Sequence, residues 1–113
     1  MRADQAPALA YLCVGLCSDE VEQNARRLDR LSSRLGYTLC ETVATDLPDA
    51  SAGAFLRARI RAWAAEAVFV PSAAHLGGWL DAIVRQADVV ESTGTTYARW
   101  PTLSELFRGD DEH

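Results

Sequence analysis

The stretch Ala8-Leu9-Ala10-Tyr11-Leu12-Cys13-Val14-Gly15-Leu16 is an almost unbroken apolar run, and it lies between Pro7 and Ser18. An apolar run without alternation is typical of a central strand of a parallel sheet, which is covered on both faces. The acidic residues Asp19 and Glu20 come next and suit the first turn of a helix. The stretch therefore predicts a strand over 8–16 that leads into a helix, and this is where an α/β enzyme usually carries its chemistry.

Stretches with helical and strand periodicity alternate along the rest of the chain. Apolar residues at helical spacing, ending with Leu35 and Trp63, are expected to form the buried faces of the first two helices. A hairpin turn is expected at Gly94, because glycine between β-prone residues is typical of such turns. The predicted elements are, in order, a helix ending at Gly36, a strand over 37–45, a helix over 51–66, a strand over 67–71, a helix over 79–87, a fourth strand or hairpin around Gly94 and one helical turn after Pro101.

This alternation of strands and helices predicts an α/β fold with three layers. The sheet is expected to be mostly parallel with four to five strands, and helices are expected on both of its faces. At 113 residues the chain is long enough for one domain with a single core. We assign that domain to residues 8–107, with a disordered N-terminus over 1–7 and an acidic disordered tail over 108–113.

Composition and charge narrow the function classes. The net charge of −5 disfavours non-specific binding to DNA and to anionic membranes. No apolar run is long enough to span a bilayer and no signal peptide is evident, so we expect a cytoplasmic protein without a membrane partner. Cys13, Cys17 and Cys40 lie in apolar surroundings, which predicts reduced, buried thiols. With only two histidines in the chain, we expect neither a metal site nor a cofactor.

Several segments occur in an order and spacing known from one enzyme family. The chain carries Tyr11-Leu12-Cys13-Val14-Gly15 in its first strand, then the helical segment 23–31, Gly36-Tyr37, Asp46 after the second strand, and the segment 68–79. Taken together, residues 8 to 90 resemble the N-terminal catalytic domain of the serine recombinases, the resolvase/invertase family. The resemblance rests on order and spacing, and it implies a resolvase-like arrangement of sheet and helices.

The resemblance also implies an active site that this chain does not retain. In the family, a serine of the first strand attacks a DNA phosphate, and arginines neutralise the charge on that phosphate. The matching positions here are Gly15 for the serine, Cys13 for the preceding arginine, Ala74 and His75 for an aspartate and its neighbouring arginine, and Gly78 and Trp79 for a second arginine and a serine. Glycine has no side chain that attacks, and loss of even one preorganised charge donor lowers rates about 10²–10³-fold. The resemblance therefore predicts a degenerate site that does not cleave DNA.

A small cysteine-dependent enzyme is an alternative that the residues themselves suggest. Cys17 directly precedes a predicted helix, where a thiolate is stabilised, and His75 would be its base. The other interpretation is that Cys17 is a small buried hydrophobe and that His75 lies at the surface or caps the third helix. Ser18 and Ser72, which stand at strand ends before helices, are interpreted as caps rather than nucleophiles.

Two groups of side chains are candidates for contact with a partner. Trp79, Tyr97 and Trp100 are the candidate interface residues, because aromatic side chains are enriched at protein interfaces, but packing in the core or at its edge explains them equally well. A cluster of arginines on the first helix is the second group, and it is expected to form a solvated face with salt bridges. This cluster consists of Arg26, Arg27, Arg30 and Arg34.

The sequence thus predicts a non-catalytic resolvase-like domain that acts as a protein-interaction or regulatory module, with a protein partner or a second copy of itself. One alternative is a DNA-binding protein related to site-specific recombinases, which the net charge disfavours. Another is the enzyme that uses Cys17 and His75. An unrelated flavodoxin-like domain would show the same alternation of strands and helices.

Overall fold

The computed structural model describes residues 5–17, 20–46 and 50–99 of the chain. Within them the strands and helices alternate as the sequence predicts, with an additional short helix directly after the first strand. The elements are β1 (Ala6–Cys13), α1 (Val14–Cys17), α2 (Val21–Arg34), β2 (Tyr37–Thr45), α3 (Ala50–Trp63), β3 (Ala67–Val70), a 3₁₀ segment (Ala73–Trp79), α4 (Leu80–Val84), β4 (Asp88–Glu91) and β5 (Thr96–Tyr97).

The five strands form one sheet in the order β2-β1-β3-β4-β5. β1 is parallel to β2 and β3, and β3 is parallel to β4. β5 is antiparallel to β4 and follows a turn at Gly94, whose φ of 101° favours glycine. The α/β fold class, the mostly parallel sheet and the hairpin are therefore confirmed. Because the chain passes from β1 to β2 on one side and later to β3 on the other, the strand order reverses between β1 and β3.

Helices cover both faces of the sheet, since successive side chains of a strand point to opposite faces. Leu9 of β1 belongs to a core cluster with Leu56 of α3 and Ile83 of α4. Leu12 of the same strand belongs to a second cluster, with Leu28 of α2. Because side chains of β1 contribute to two separate core clusters, α2 lies on one face of the sheet and α3 and α4 lie on the other. This arrangement confirms the three layers.

The central strand lies earlier in the chain than the predicted 8–16. β1 begins at Ala6 and ends at Cys13, whose partner Thr45 is the last residue of β2. Neither β2 nor β3 extends past this pair, so the ladder stops and the chain turns into α1. Val14 and Leu16 continue the apolar run without belonging to the strand, which explains why the run overestimates its length.

Two predicted core positions are wrong, and both lie at helix ends. Leu35 is 50% exposed and Trp63 is 42% exposed. Leu35 follows the last residue of α2 and precedes Gly36, which has a φ of 90°. Trp63 is the last residue of α3, and Ala64 leaves the helical region with a φ of 53°. The apolar periodicity therefore continues to helix ends that the core no longer covers.

The helix predicted over 79–87 is shorter than expected. α4 covers only Leu80–Val84, and the segment before it is a 3₁₀ helix that Gly77 interrupts with φ 56° and ψ −132°.

Within the described residues, no helix combines the length and the apolar character that crossing a membrane requires. The predicted helical turn after Pro101, the acidic tail over 108–113 and the Ser18 cap lie outside the described residues.

Candidate functional site

The candidate site is the sheet edge where the parallel strands end. Ligands of open α/β folds bind in the crevice where the strand order reverses. That crevice lies here between Cys13 at the end of β1 and Val70 at the end of β3. The residues singled out from the sequence belong to the two segments that leave these strands, α1 and the stretch from Pro71 through the 3₁₀ segment.

The side chain of His75, which comes from the segment after β3, reaches the end of β1 on the other side of this crevice. This side chain is buried, and its Nδ1 accepts a hydrogen bond from the backbone N–H of Cys13 at 2.9 Å. A ring nitrogen that accepts a hydrogen bond carries no proton, so this imidazole is neutral with its proton on Nε2. The interpretation of His75 as a surface or capping residue is therefore wrong, because the side chain is packed against the end of the central strand.

Hydrogen bonds to the end of β4 hold the segment that carries His75. The backbone N–H of Ala73 donates to Glu91 Oε2 at 2.6 Å, and Ser92 Oγ donates to the carbonyl oxygen of Pro71 at 3.0 Å. Ser72 stands at the N-cap position, but its side chain makes no capping bond, so its predicted role is wrong. The carboxylate of Glu91 from a neighbouring strand binds the first N–H of the 3₁₀ segment instead.

Asp46 fixes the end of β1 from the other side. Its carbonyl oxygen accepts hydrogen bonds from Cys13 Sγ at 3.3 Å and from the backbone N–H of Gly15 at 2.9 Å. Backbone N–H groups at this point of an α/β fold are the donors that bind ligand phosphates. Here the N–H groups of Cys13 and Gly15 are bonded to His75 and Asp46 instead. The crevice is therefore occupied by the protein's own groups.

The other positions that the sequence resemblance matches to an active site contribute no nucleophile. Gly15, Ala74 and Gly78 are all exposed. Among these matched positions, Cys13 and His75 are joined by a hydrogen bond whose donor is the backbone N–H of Cys13 rather than its thiol.

Cys17 lies in the core cluster on the α2 face of the sheet. Burial is the main cause that raises the pKa of its thiol, and the neighbouring Cys13 and Glu20 add to this effect, against a hydrogen bond with Asn24. A raised pKa reduces the thiolate fraction that a nucleophile needs. Within the described residues no hydrogen bond joins Cys17 to His75. The geometry gives the proposed reactive pair no support.

We expect Cys17 to react slowly with iodoacetamide at neutral pH, and more slowly than the half-buried Cys40, because its thiol is buried and protonated. The measurement is a time course of alkylation followed by peptide mass spectrometry. Rapid modification of Cys17 that disappears in a His75→Asn variant would contradict this prediction and restore the cysteine enzyme.

Burial lowers the pKa of His75 below its ordinary value of 6.5. The unfolded chain therefore takes up a proton at a higher pH than the folded chain does. In the window below pH 6.5 the unfolded state binds more protons, so the free energy of unfolding falls as the pH drops. Urea denaturation between about pH 7 and pH 5.5 should show this fall in the wild type and a smaller one in His75→Asn. Identical pH profiles would contradict the prediction.

The two candidate interface aromatics that the structure describes pack against the core. Trp79 is half-buried beside the cluster of α3 and α4, and a Cβ atom placed on Gly53 would overlap its ring. The Arg57 guanidinium carbon lies 6.0 Å from the centroid of that ring, and Arg57 Nε donates to Gln86 Oε1 at 3.2 Å. Tyr97 is half-buried against the same cluster, which agrees with the packing interpretation. Trp100 lies outside the described residues.

Sequence reasoning missed three residues that shape this site and its surroundings. Glu91 is the last residue of β4, and an acidic side chain at that end of a parallel strand is a signal for a functional edge of the sheet. Gly53 inside a helix is a signal of close approach by another group. Asp46 contributes its backbone carbonyl oxygen. Every residue has this group, so the identity of the side chain could not have indicated the role.

Within the described ranges, no three His, Cys, Asp or Glu side chains come together as a metal site requires. A scan against protein-family models finds no match to this chain, and searches of curated proteins and of solved structures find no significant match either.

Proposed function

We propose that this chain is a non-catalytic, resolvase-like domain that acts as an interaction or regulatory module. The observation that carries the proposal is the crevice between β1 and β3, where the His75 side chain accepts a hydrogen bond from Cys13 N–H at 2.9 Å. A substrate phosphate would have to displace a buried imidazole to reach that donor.

The charge around the crevice supports the same conclusion. Transfer of a phosphoryl group requires a nucleophile and cations that stabilise the developing negative charge. No arginine or lysine occurs in α1 or in the stretch 71–79, which line the crevice in the described part of the chain. The carboxylate of Glu91, at the same edge of the sheet, would repel a phosphate.

Exposed apolar side chains support a role in binding. Leu16, Phe55 and Trp63 are each between 42% and 51% exposed, and Leu16 lies in α1 beside the crevice. Phe55 and Trp63 belong to the same helix, α3, and large exposed apolar side chains that lie together are typical of surfaces that meet a partner. A protein partner or a second copy of the chain would cover them.

A plasmid assay tests the catalytic half of the proposal. We expect supercoiled DNA incubated with the purified chain to show neither nicking nor a covalent protein–DNA adduct, and the His75→Ala variant to be equally inactive. Cleavage by the wild type, or its appearance when the crevice is opened in His75→Ala, would contradict a non-catalytic role.

Light scattering over a range of protein concentrations tests the binding half. A mass that rises towards twice that of the monomer supports the homodimer, and exchange of Leu16 for serine should weaken it if α1 takes part. A constant monomer mass, together with no partner in pull-downs, would remove the support for an interaction module.

A further inference from the structure

Four exposed arginines form a single surface on α2, which we call the arginine flank: Arg26, Arg27, Arg30 and Arg34. With 3.6 residues per turn, they fall within about 100° of the helix circumference. The acidic residues Glu22 and Asp29 lie beside this arc on the other part of the exposed surface. The buried side of the helix carries Leu28 and Leu31. This arc of α2 therefore carries four arginines and no acidic residue.

The guanidinium groups of this flank have no carboxylate partner among residues 5–17, 20–46 and 50–99. Within the described residues, none of the four arginines takes part in an ion pair, although Glu22 stands four residues before Arg26. The salt bridges expected on this face are therefore not seen among these residues. Two arginines of α3 differ, since Arg59 binds Glu41 at 2.8 Å and Arg57 packs over Trp79.

We propose that the arginine flank binds an acidic segment of a protein partner. This inference rests on the proposed interaction function and names its surface and the chemistry of its ligand. Arginine forks bind carboxylates through two hydrogen bonds, and unpaired forks are complementary in charge to an acidic segment. The steps from Arg26 to Arg30 and from Arg30 to Arg34 are each about 6 Å along the helix axis. That spacing is close to the roughly 6.6 Å between alternate residues of an extended strand, so carboxylates at every second position would meet successive arginines.

The overall charge favours a short acidic peptide over nucleic acid. The chain carries a net charge of −5, so a long polyanion that extends beyond the flank would be repelled by the rest of the molecule. A short segment would contact the flank alone. Leu35, which follows Arg34 and is 50% exposed, would add an apolar contact at one end of the segment.

Fluorescence anisotropy with two labelled probes of equal charge tests this inference. The first is a peptide in which six glutamates alternate with serines, and the second is a seven-nucleotide oligothymidylate with six phosphates. At about 50 mM salt, where charge contacts are strong, we expect the peptide to bind more tightly than the oligonucleotide. The triple variant Arg26→Gln/Arg30→Gln/Arg34→Gln should bind the peptide about tenfold to hundredfold more weakly, since each lost contact weakens binding about two- to fivefold.

A matched pair of single variants distinguishes binding at the arginine flank from an effect of the protein's total charge. Arg30→Gln and Arg61→Gln each remove one charge from an exposed helix position, and glutamine is a good helix former, so both should keep the fold. We expect Arg30→Gln to weaken peptide binding about fivefold and Arg61→Gln less than twofold.

Three outcomes would overturn the inference: equal effects of these two variants, tighter binding of the oligonucleotide, or no binding of the peptide by the wild type. None of them bears on the crevice, which the plasmid assay tests separately. Conversely, DNA cleavage in that assay would overturn the proposed function and leave the probe results unchanged.

Discussion

Replacement of His75 by alanine is expected to lower the free energy of unfolding by about 3 kcal/mol. The imidazole is 5% exposed, so its removal leaves a void between the ends of β1 and β3. Cys13 N–H also loses its acceptor at 2.9 Å, and a buried donor without a partner costs about 1–3 kcal/mol. The loss of packing adds to this amount. Urea denaturation above pH 7, where the imidazole is neutral in both states, measures the change.

Two further variants separate the hydrogen bond from the packing. The amide oxygen of asparagine can take the position of Nδ1, so His75→Asn should lose only about 1 kcal/mol. His75→Leu keeps the volume without an acceptor and should fall between the asparagine and alanine variants. If the leucine variant were as stable as the wild type, the bond to Cys13 would make no net contribution, and the crevice would be closed by packing alone.

Replacement of Gly53 by alanine should destabilise the fold by about 2 kcal/mol, although glycine to alanine within a helix usually stabilises by about 0.5–1 kcal/mol. The reason is the indole of Trp79, which lies where the new Cβ would be placed. The ring packs against the core cluster and lies beneath Arg57, so a shift away from the new Cβ would disturb both contacts. Overpacking of this kind typically costs about 1–3 kcal/mol. Thermal or urea denaturation of the variant checks the sign.

A double-mutant cycle tests the cause. In a Trp79→Ala background the obstruction is gone, so Gly53→Ala should become stabilising by about 0.5 kcal/mol or more. This reversal of sign is specific to the contact between the two residues. If Gly53→Ala were equally destabilising in both backgrounds, the close approach of the ring would not be the reason.

The layer structure could be predicted because it depends on patterns that are local in the chain. The unbroken apolar run of β1 indicated a central strand, and the strand over 37–45 agrees with β2 in both bounds. The predicted ends of strands and helices were less accurate than their order, because the end of a strand depends on where its partner strand ends. β1 ends at Cys13 since its partner strand ends at Thr45, and nothing in the run itself marks that point.

The location of the candidate site could be predicted from the sequence, but the contacts within it could not. The strand end and the segment around His75 were both singled out, but their contact joins residues 62 positions apart in the chain. Hydrophobic periodicity along the chain does not indicate contacts between such distant residues. The contact with Cys13 shows that His75 accepts a hydrogen bond from a backbone N–H, whereas the sequence suggested a general base or a helix cap. The same holds for the ring of Trp79 on Gly53.

The sequence alone determined the α/β class, the helices on both faces and the lack of a hydroxyl nucleophile at Gly15, because apolar periodicity and side-chain identity are properties of the chain. The tertiary structure decided that His75 fills the crevice and that Cys17 is buried rather than activated. It also decided that the arginines of α2 pair with no carboxylate in the described part of the chain. Hydrogen bonding, burial and pairing depend on which distant groups the fold brings within a few ångströms, and these distances exist only once the sheet and helices have packed.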